Sequence, residues 1–255
     1  MEKFFGNMHI VHLQNIEKNG RIVICNGGKE IFFLCLLHYN DTCKVNQQFT
    51  GGERKVVKLN IQTAELALRE ASESNPGAWA DHSRFVAEAC KNIASHCKDL
   101  SSEQAYIFGL LHDIGRYAGV SSERHLIDGY RYCMERGWGK AAQICISHAF
   151  MIQDIATSIG EFDVSDEDYL FMKEFVANAV YDDYDRLVQL CDALAMPSGF
   201  CLLEKRFVDV TMRYGVHPAT IDRWKKILEI KERFEDQIGC SIYALLPGVM
   251  ENSFR

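Results

Sequence analysis

The length, composition and charge of the chain limit what it can be. Its 255 residues are 47% hydrophobic, enough to bury the core of one large domain, or of one domain with a small appendage. The formal net charge is −7, which excludes a broadly basic surface of the kind that binds nucleic acid. The longest apolar run, residues 31–37, is far shorter than the roughly 20 residues that span a bilayer. We therefore expect neither nucleic acid nor a membrane as a partner.

The ten cysteines are predicted to be reduced. They occur singly, without a CxxC pair, and several fall on apolar helical faces. This usage favours buried thiols over a disulfide framework. The N-terminal residues also lack a basic segment followed by a long apolar run, so no secretory signal is predicted. Together these features predict a cytoplasmic protein.

The chain is predicted to divide near residue 58. Before that point, short β-rich runs are separated by Asn-Gly and Asn-Gly-Gly, which favour tight hairpins. We expect two or three antiparallel strands in a small β-rich N-terminal extension, residues 1–58. After the glycines at 51–52 the hydrophobic period changes from about two to about 3.6 residues. The predicted fold class is therefore all-α for residues 59–255, a helical bundle with a small β-rich extension.

The helical periodicity of this second part allows individual helices to be predicted. The last of them begins with Pro218 in its first turn and ends before Gly239. The predicted helices cover 61–73, 82–97, 103–115, 123–136, 139–152, 166–180, 184–195, 200–213 and 218–238.

Several polar residues stand on the apolar faces of these helices. His82 precedes Phe85 and Val86 at helical spacing, with Asp81 as the expected N-cap, and His148 stands among isoleucines and methionine. Asp192 has apolar neighbours at i−4, i+3 and i+4. An unpaired buried carboxylate costs several kcal/mol, so Asp192 requires a cation or strong donors.

One further pair lies inside the apolar segment GLLHDIGRYAG, where Gly115 is expected to end the helix. Each of these polar residues alone has an ordinary structural explanation, but so many in one helical domain favour a metal site. Nitrogen and oxygen ligands without thiolates suit Fe, Mn, Co, Ni, Zn or Mg. The inward-facing set is His82, His112, Asp113, His148 and Asp192, with His125 as a sixth candidate.

The order H…HD…D resembles the HD-domain superfamily of metal-dependent phosphohydrolases. The motif HDIG at 112–115 is a signature form of its central element, and WADHSRFVAEAC and LVQLCDALA are similar to its first and last motif helices. The resemblance covers residues 60–196 and does not reach the first 58. It implies an HD-domain helical bundle and a metal-dependent hydrolase of phosphoesters.

The two additional histidines make the chain resemble a binuclear branch, the bacterial diadenosine tetraphosphate hydrolases. That resemblance implies six ligands and two metal ions, with Asp113 bridging the ions. His82, His112 and Asp192 would complete one site, and His125 and His148 the other. The chain lacks the HHE and GYP motifs of one cyclic-dinucleotide branch, and the dense basic pocket of the dNTP triphosphohydrolases. Asp183 and Asp185 are the alternatives to Asp192 as the last ligand.

Cationic partners for a phosphate are predicted beside the motif residues. Arg116 directly follows HDIG and is assigned a catalytic and substrate-binding role, while Arg84 and Arg124 lie next to His82 and His125. Each of the three has the alternative of a solvated surface arginine. The remaining histidines, His9, His12, His38, His96 and His217, are expected to lie outside the site.

Two functions follow. The first is a metal-dependent phosphohydrolase or phosphodiesterase that cleaves a nucleotide or related small phosphoester with a metal-bound hydroxide. The second is a regulatory or ligand-binding HD module that binds metal with little or no turnover. The sequence leaves open the substrate, the native metal, a homo-oligomeric state and the role of residues 1–58.

Overall fold

The computed structural model describes residues 23–26, 29–32 and 57–254. It divides the chain into two compact units, Met1–Glu53 and Arg54–Arg255. In the first unit, β1 (Val23–Asn26) pairs antiparallel with β2 (Lys29–Phe32), and Asn26 stands opposite Lys29. These are strands of the predicted β-rich extension; a third strand would lie outside the described residues. The domain boundary at residue 58 stays a prediction.

The described part of the second unit is helical, which confirms the all-α class. A two-residue hairpin, β3 (Ala195–Met196) with β4 (Gly199–Phe200), interrupts it. The helices are α1 (Ile61–Ser74), α2 (Trp79–Ala94), α3 (Ser102–Leu111), α4 (Arg124–Glu135), α5 (Gly139–Ser147), α6 (Asp166–Asn178), α7 (Asp183–Asp192), α8 (Leu203–Tyr214), α9 (Thr220–Ile238) and α10 (Val249–Ser253).

Three boundaries differ from the prediction in ways that matter for the polar residues. Helix α3 ends at Leu111, and a 3₁₀ helix, Ile114–Ala118, follows instead of a continuous helix to residue 115. Helix α5 ends at Ser147 rather than at 152. Helix α2 begins at Trp79, so the prediction of Asp81 as its N-cap was wrong. Asp81 lies in the first turn instead, where a carboxylate is also favourable.

The main core forms around α2, α3 and α7. Helices α2 and α3 make the most extensive contact, and Gly109 allows it, because a Cβ there would lie 2.8 Å from the Ala87 Cα. A smaller cluster of buried side chains, including Leu126, Phe150 and Met172, joins α4 to α6. These two clusters fix the ends of α2, α3, α4, α5 and α7 relative to one another.

The expectations about membrane-spanning segments and about the cysteines can be compared with the described residues. Among them no helix combines the length and the apolar character needed to cross a membrane. The cysteines whose side chains are described are all free thiols, as predicted: Cys90, Cys97, Cys133, Cys145, Cys191, Cys201 and Cys240. Cys25, Cys35 and Cys43 lie outside the described side chains.

The sequence predicted that Gly115 ends helix α3, and this prediction was wrong, because α3 ends at Leu111. Gly115 instead allows the 3₁₀ helix to pack against α4. A Cβ at this position would lie 1.9 Å from the His125 carbonyl oxygen and 2.4 Å from the Gly129 amide nitrogen, both backbone atoms that cannot rotate away. We expect Gly115→Ala to lower the free energy of unfolding by about 3 kcal/mol and to displace the backbone of His125. Urea unfolding measures the loss.

The matched control is Gly139→Ala, because a Cβ at Gly139 meets nothing within 4 Å. We expect the control to leave the urea midpoint nearly unchanged. Equal midpoints for Gly115→Ala and wild type would show that the contact between the 3₁₀ helix and α4 is not tight.

Candidate metal centre

Helix ends bring the predicted polar residues together. His82 lies in the first turn of α2, and His125 in the first turn of α4. The others lie at C-terminal ends: His112 directly after α3, His148 directly after α5, and Asp192 as the last residue of α7. His82, Asp113, His125, His148 and Asp192 line one cavity of about 520 Å³, and His112 lies buried beside them.

Two groups of candidate ligand atoms share Asp113. His82, His112 and Asp113 form one group, and Asp113, His125 and His148 form the other, with ligand atoms in each group within 4.8 Å of one another. Asp113 Oδ1 lies 3.2 Å from His125 Nε2 and 3.7 Å from His148 Nε2. Asp192 adjoins the first group, because its Oδ1 lies 2.9 Å from His82 Nε2. The structure therefore brings together all six residues that the sequence singled out.

Backbone carbonyls orient three of the imidazole rings. Nδ1 of His112 lies 2.7 Å from the Gly109 oxygen, and Nδ1 of His148 lies 3.1 Å from the Ile144 oxygen. Nδ1 of His125 likewise contacts the carbonyl of Ser122. A ring that donates its Nδ1 proton to a carbonyl presents the lone pair of Nε2 on the other side, the usual arrangement for a metal-binding histidine.

The buried donor atoms fit a divalent cation. His112 Nε2 and Asp113 Oδ1 are both buried and have no hydrogen-bond partner in the described part of the chain. With Nδ1 of His125 engaged, its Nε2 and Asp113 Oδ1 are two electron-pair donors facing each other, which repel unless a cation or proton lies between them. These buried His and Asp groups can therefore hold a metal ion.

The protonation states at neutral pH also suit a metal. Burial lowers the pKa of His112, and it lowers the pKa of His148 to about 4, so both rings are neutral. Burial alone would raise the pKa of Asp113, but the guanidinium of Arg116 outweighs it, and that pKa lies well below its usual value. Burial is likewise outweighed at Asp192, where His82 lowers the pKa. Neutral imidazoles and ionised carboxylates are the forms that bind metals.

Arg116 lies inside this centre rather than at its rim. Its Nε donates to Asp113 Oδ2 over 2.7 Å, and its Nη2 lies 3.3 Å from His125 Nε2. The guanidinium therefore contacts two residues of the second ligand group. The guanidinium would therefore lie next to an ion bound by Asp113, His125 and His148.

A second layer of hydrogen bonds holds the start of α4, which carries His125. Glu123 Oε1 accepts bonds from Ser158 Oγ at 2.7 Å and from the Gly160 amide at 3.0 Å. The carboxylate of Asp163 accepts from the backbone amides at both sides of Glu123. The segment 158–163 is thus tied to the N-terminus of α4 and positions His125.

The other two predicted arginines do not reach the cavity. Arg84 bonds to Asp81 over 2.9 Å on the exposed side of α2. Arg124 pairs with Asp128 on α4 at 3.3 Å. Neither is among the residues that line the cavity, and the role of both in substrate binding stays a prediction.

Asp183 and Asp185 do not take the place of Asp192. Asp185 is fully buried, but its carboxylate is bonded to Lys140, Gln143 and Ser147, away from the cavity. Asp183 pairs with Arg233 at 3.1 Å.

The other two histidines in the described part of the chain lie away from the centre. His96 and His217 are bonded to backbone carbonyls away from it. His9, His12 and His38 lie outside the described residues.

Sequence reasoning did not identify the cavity residues contributed by α8 and α9. On those helices the charged residues recur at the i,i+3 and i,i+4 spacing of an ordinary solvated face, so no local signal separates them from surface residues. The residues missed in this way include Arg206, Phe207, Arg213, Arg223 and Trp224.

Comparison with known proteins agrees with the helical fold and with part of the centre. Residues 55–144 match the family model of the HDOD domain, less than half of the chain, and the match includes His82, His112, Asp113 and His125. No curated protein and no solved structure matches the chain. The match makes residues 55–144 similar to an HD-related domain of the HDOD type, in keeping with the helical fold of this part of the chain. The closer resemblance to diadenosine tetraphosphate hydrolases stays a prediction.

Proposed function

We propose that the protein is a metal-dependent phosphohydrolase or phosphodiesterase that acts on a nucleotide or a related small phosphoester. The observation that supports this most directly is the pair of buried His/Asp groups that share Asp113 at one cavity. Arginines line the same cavity, as a phosphate substrate requires. We also propose a cytoplasmic protein without nucleic acid or membrane partners.

Two divalent ions are proposed, one in each group. A bound divalent ion lowers the pKa of coordinated water and neutralises phosphoryl oxygens. His82, His112 and Asp192 would hold one ion, His125 and His148 the other, and Asp113 both. The backbone carbonyls at Gly109, Ser122 and Ile144 keep the imidazoles oriented for this purpose.

Arg116 controls the second group in this proposal. Its guanidinium bonds to Asp113 and lies next to His125, so a second ion competes with it for the same donor atoms. We expect Arg116→Gln to tighten binding of the second ion at least about tenfold, because a repelling charge is removed. We expect phosphoester hydrolysis to fall in the same variant, because the phosphate loses a cationic partner. Isothermal titration with Mn²⁺ and steady-state kinetics measure the two effects.

Arg84→Gln is the matched control for Arg116, since Arg84 pairs with Asp81 outside the cavity. It should change neither the Mn²⁺ titration nor the kinetics. If the Arg116→Gln protein has wild-type ion affinity and wild-type kinetics, Arg116 takes no part in ion binding or hydrolysis.

The experiment that tests the proposed function combines metal analysis with a substrate panel. Purified protein is reconstituted under reducing, anaerobic conditions with Fe²⁺, Mn²⁺, Co²⁺ or Mg²⁺ and assayed on phosphomonoesters, phosphodiesters and nucleotides. Bound metal with turnover that requires it supports the proposal. Absence of metal binding under all of these conditions contradicts it.

The alternative is a regulatory or ligand-binding module that keeps the centre with little or no turnover. Two observations favour it: HDOD domains often serve in regulation or signalling, and Arg116 engages Asp113 and His125 directly. The same panel discriminates the two functions. Bound metal without turnover on any substrate would favour the module.

A further inference from the structure

Four arginines line the cavity that holds the candidate metal centre, and they differ in their partners. Arg116 bonds to Asp113, Arg206 lies near Asp192 and Asp209, and Arg213 pairs with Asp209. Arg223 has no carboxylate within 4.0 Å among residues 57–254. It is therefore the one cavity arginine in the described chain whose charge no acidic side chain balances directly.

Arg223 is held in place by the backbone. It lies in the first turn of α9 and is partly buried. Its Nη1 donates to the carbonyl oxygens of Ala149 and Thr157, each over 3.0 Å. Ala149 follows the candidate ligand His148, so these bonds place the guanidinium beside the metal centre without contact with its ligands.

The Nε and Nη2 groups of Arg223 can still donate hydrogen bonds to a ligand. No described residue accepts a hydrogen bond from Nε or Nη2 of Arg223, and neither atom is both buried and unpartnered. These N–H groups are therefore accessible to solvent on a residue that lines the cavity. Burial also lowers the pKa of Arg223, and the carboxylates of Glu123 and Asp192, which form no ion pair with it, offset this only in part.

We propose that Arg223 binds a second phosphate group of the substrate, distinct from the phosphoryl group at the His/Asp centre. A guanidinium matches the geometry of a phosphate and forms charge-assisted hydrogen bonds with it. The substrate class that follows is a phosphoester with at least two phosphate groups, rather than a simple monoester. This inference rests on the proposed function and specifies its substrate.

The first test is anion binding to the metal-free full-length protein, which separates Arg223 from the metal centre. Inorganic pyrophosphate is titrated calorimetrically at low ionic strength into wild type, Arg223→Gln and Arg223→Lys, with Arg84→Gln as the control. We expect Arg223→Gln to weaken pyrophosphate binding about tenfold, as loss of a charge-assisted bond predicts. Arg223→Lys should recover part of the affinity because it keeps the charge, and the control should match wild type.

The second test uses the metal-loaded protein. We expect Arg223→Gln to raise KM about tenfold for a substrate with two phosphates and to leave KM for a monophosphate substrate unchanged. If Arg223 had only a structural role, its replacement would change KM for both substrates, because it would alter the cavity itself.

A third measurement needs no variant and covers the case in which Arg223→Gln does not fold. Phenylglyoxal modifies accessible arginines, and peptide mass spectrometry follows the modification of Arg223 in wild type. Pyrophosphate should slow modification of Arg223 and leave that of Arg84 unchanged.

The outcomes separate this inference from the proposed function. If pyrophosphate binding depends on Arg223 but the metal-loaded protein hydrolyses no substrate, the anion site is supported and the proposed hydrolase activity is contradicted. Wild-type pyrophosphate affinity in Arg223→Gln, or modification of Arg223 that pyrophosphate does not slow, overturns the inference even if the loaded protein is an active hydrolase.

Discussion

Replacing Asp113 with asparagine is expected to weaken metal binding more than about 100-fold and to reduce any hydrolysis to the metal-free level. Asp113 is the only residue shared by both candidate ligand groups in the described chain, so its loss affects both. The expected loss of metal affinity exceeds the roughly 10- to 100-fold losses typical of residues that only support metal ligands. Elemental analysis and Mn²⁺ titration of the purified variant measure the effect.

The matched control is Asp81→Asn. Asp81 is an exposed aspartate of the same domain, paired with Arg84 and outside the cavity. We expect wild-type ion binding in this control. Wild-type ion content in Asp113→Asn, with the ions still bound at the cavity, would contradict the assignment of Asp113 as the shared ligand.

Replacing Asp185 with alanine is expected to produce the largest loss of stability. This fully buried carboxylate accepts bonds from Lys140 Nζ at 2.5 Å, Ser147 Oγ at 2.6 Å and the Asp182 amide at 2.9 Å, and Gln143 also donates to it. Removing it leaves Ser147 Oγ and the Asp182 amide unpaired and takes from Lys140 its buried partner, so that Lys140 keeps only the half-exposed Asp182. Breaking a buried ion pair in this way costs about 3–5 kcal/mol. For a unit of this size the loss corresponds to a fall in Tm of roughly 10 °C.

Asp183→Ala is the natural comparison, because Asp183 pairs with Arg233 at a partly exposed position. We expect it to cost less than about 1 kcal/mol. Both variants should keep the wild-type ion stoichiometry when folded, as measured by elemental analysis below their Tm. A loss of metal in folded Asp185→Ala would show that this residue, and not Asp192 alone, belongs to the centre.

Much of the helical fold could be predicted from the sequence, because hydrophobic periodicity reflects the local geometry of a helix. The same periodicity identified His82, His148 and Asp192, since each stands on an apolar face where a polar side chain requires a partner. The adjacent His112 and Asp113 could be recognised from the HDIG motif. These inferences depend only on residues within a few turns of one another.

Local periodicity was insufficient where long-range packing decides the structure. Helix α3 ends four residues before Gly115, because the following 3₁₀ helix packs closely against α4. Asp185 lies in the acidic run YDDYD, which is typical of the start of a helix, yet Lys140 and Ser147 on α5 complete a hydrogen-bond network around it and bury it.

The sequence by itself therefore determined the helical class and a set of polar residues too costly to bury alone. Tertiary structure decided which of these share a cavity, and it added Arg223 from α9, which reaches the carbonyls of Ala149 and Thr157 from a distant part of the chain. The physical reason is that a helix repeat is encoded by neighbouring residues. The partners of a buried charge depend instead on which helices pack together, and no local pattern records that.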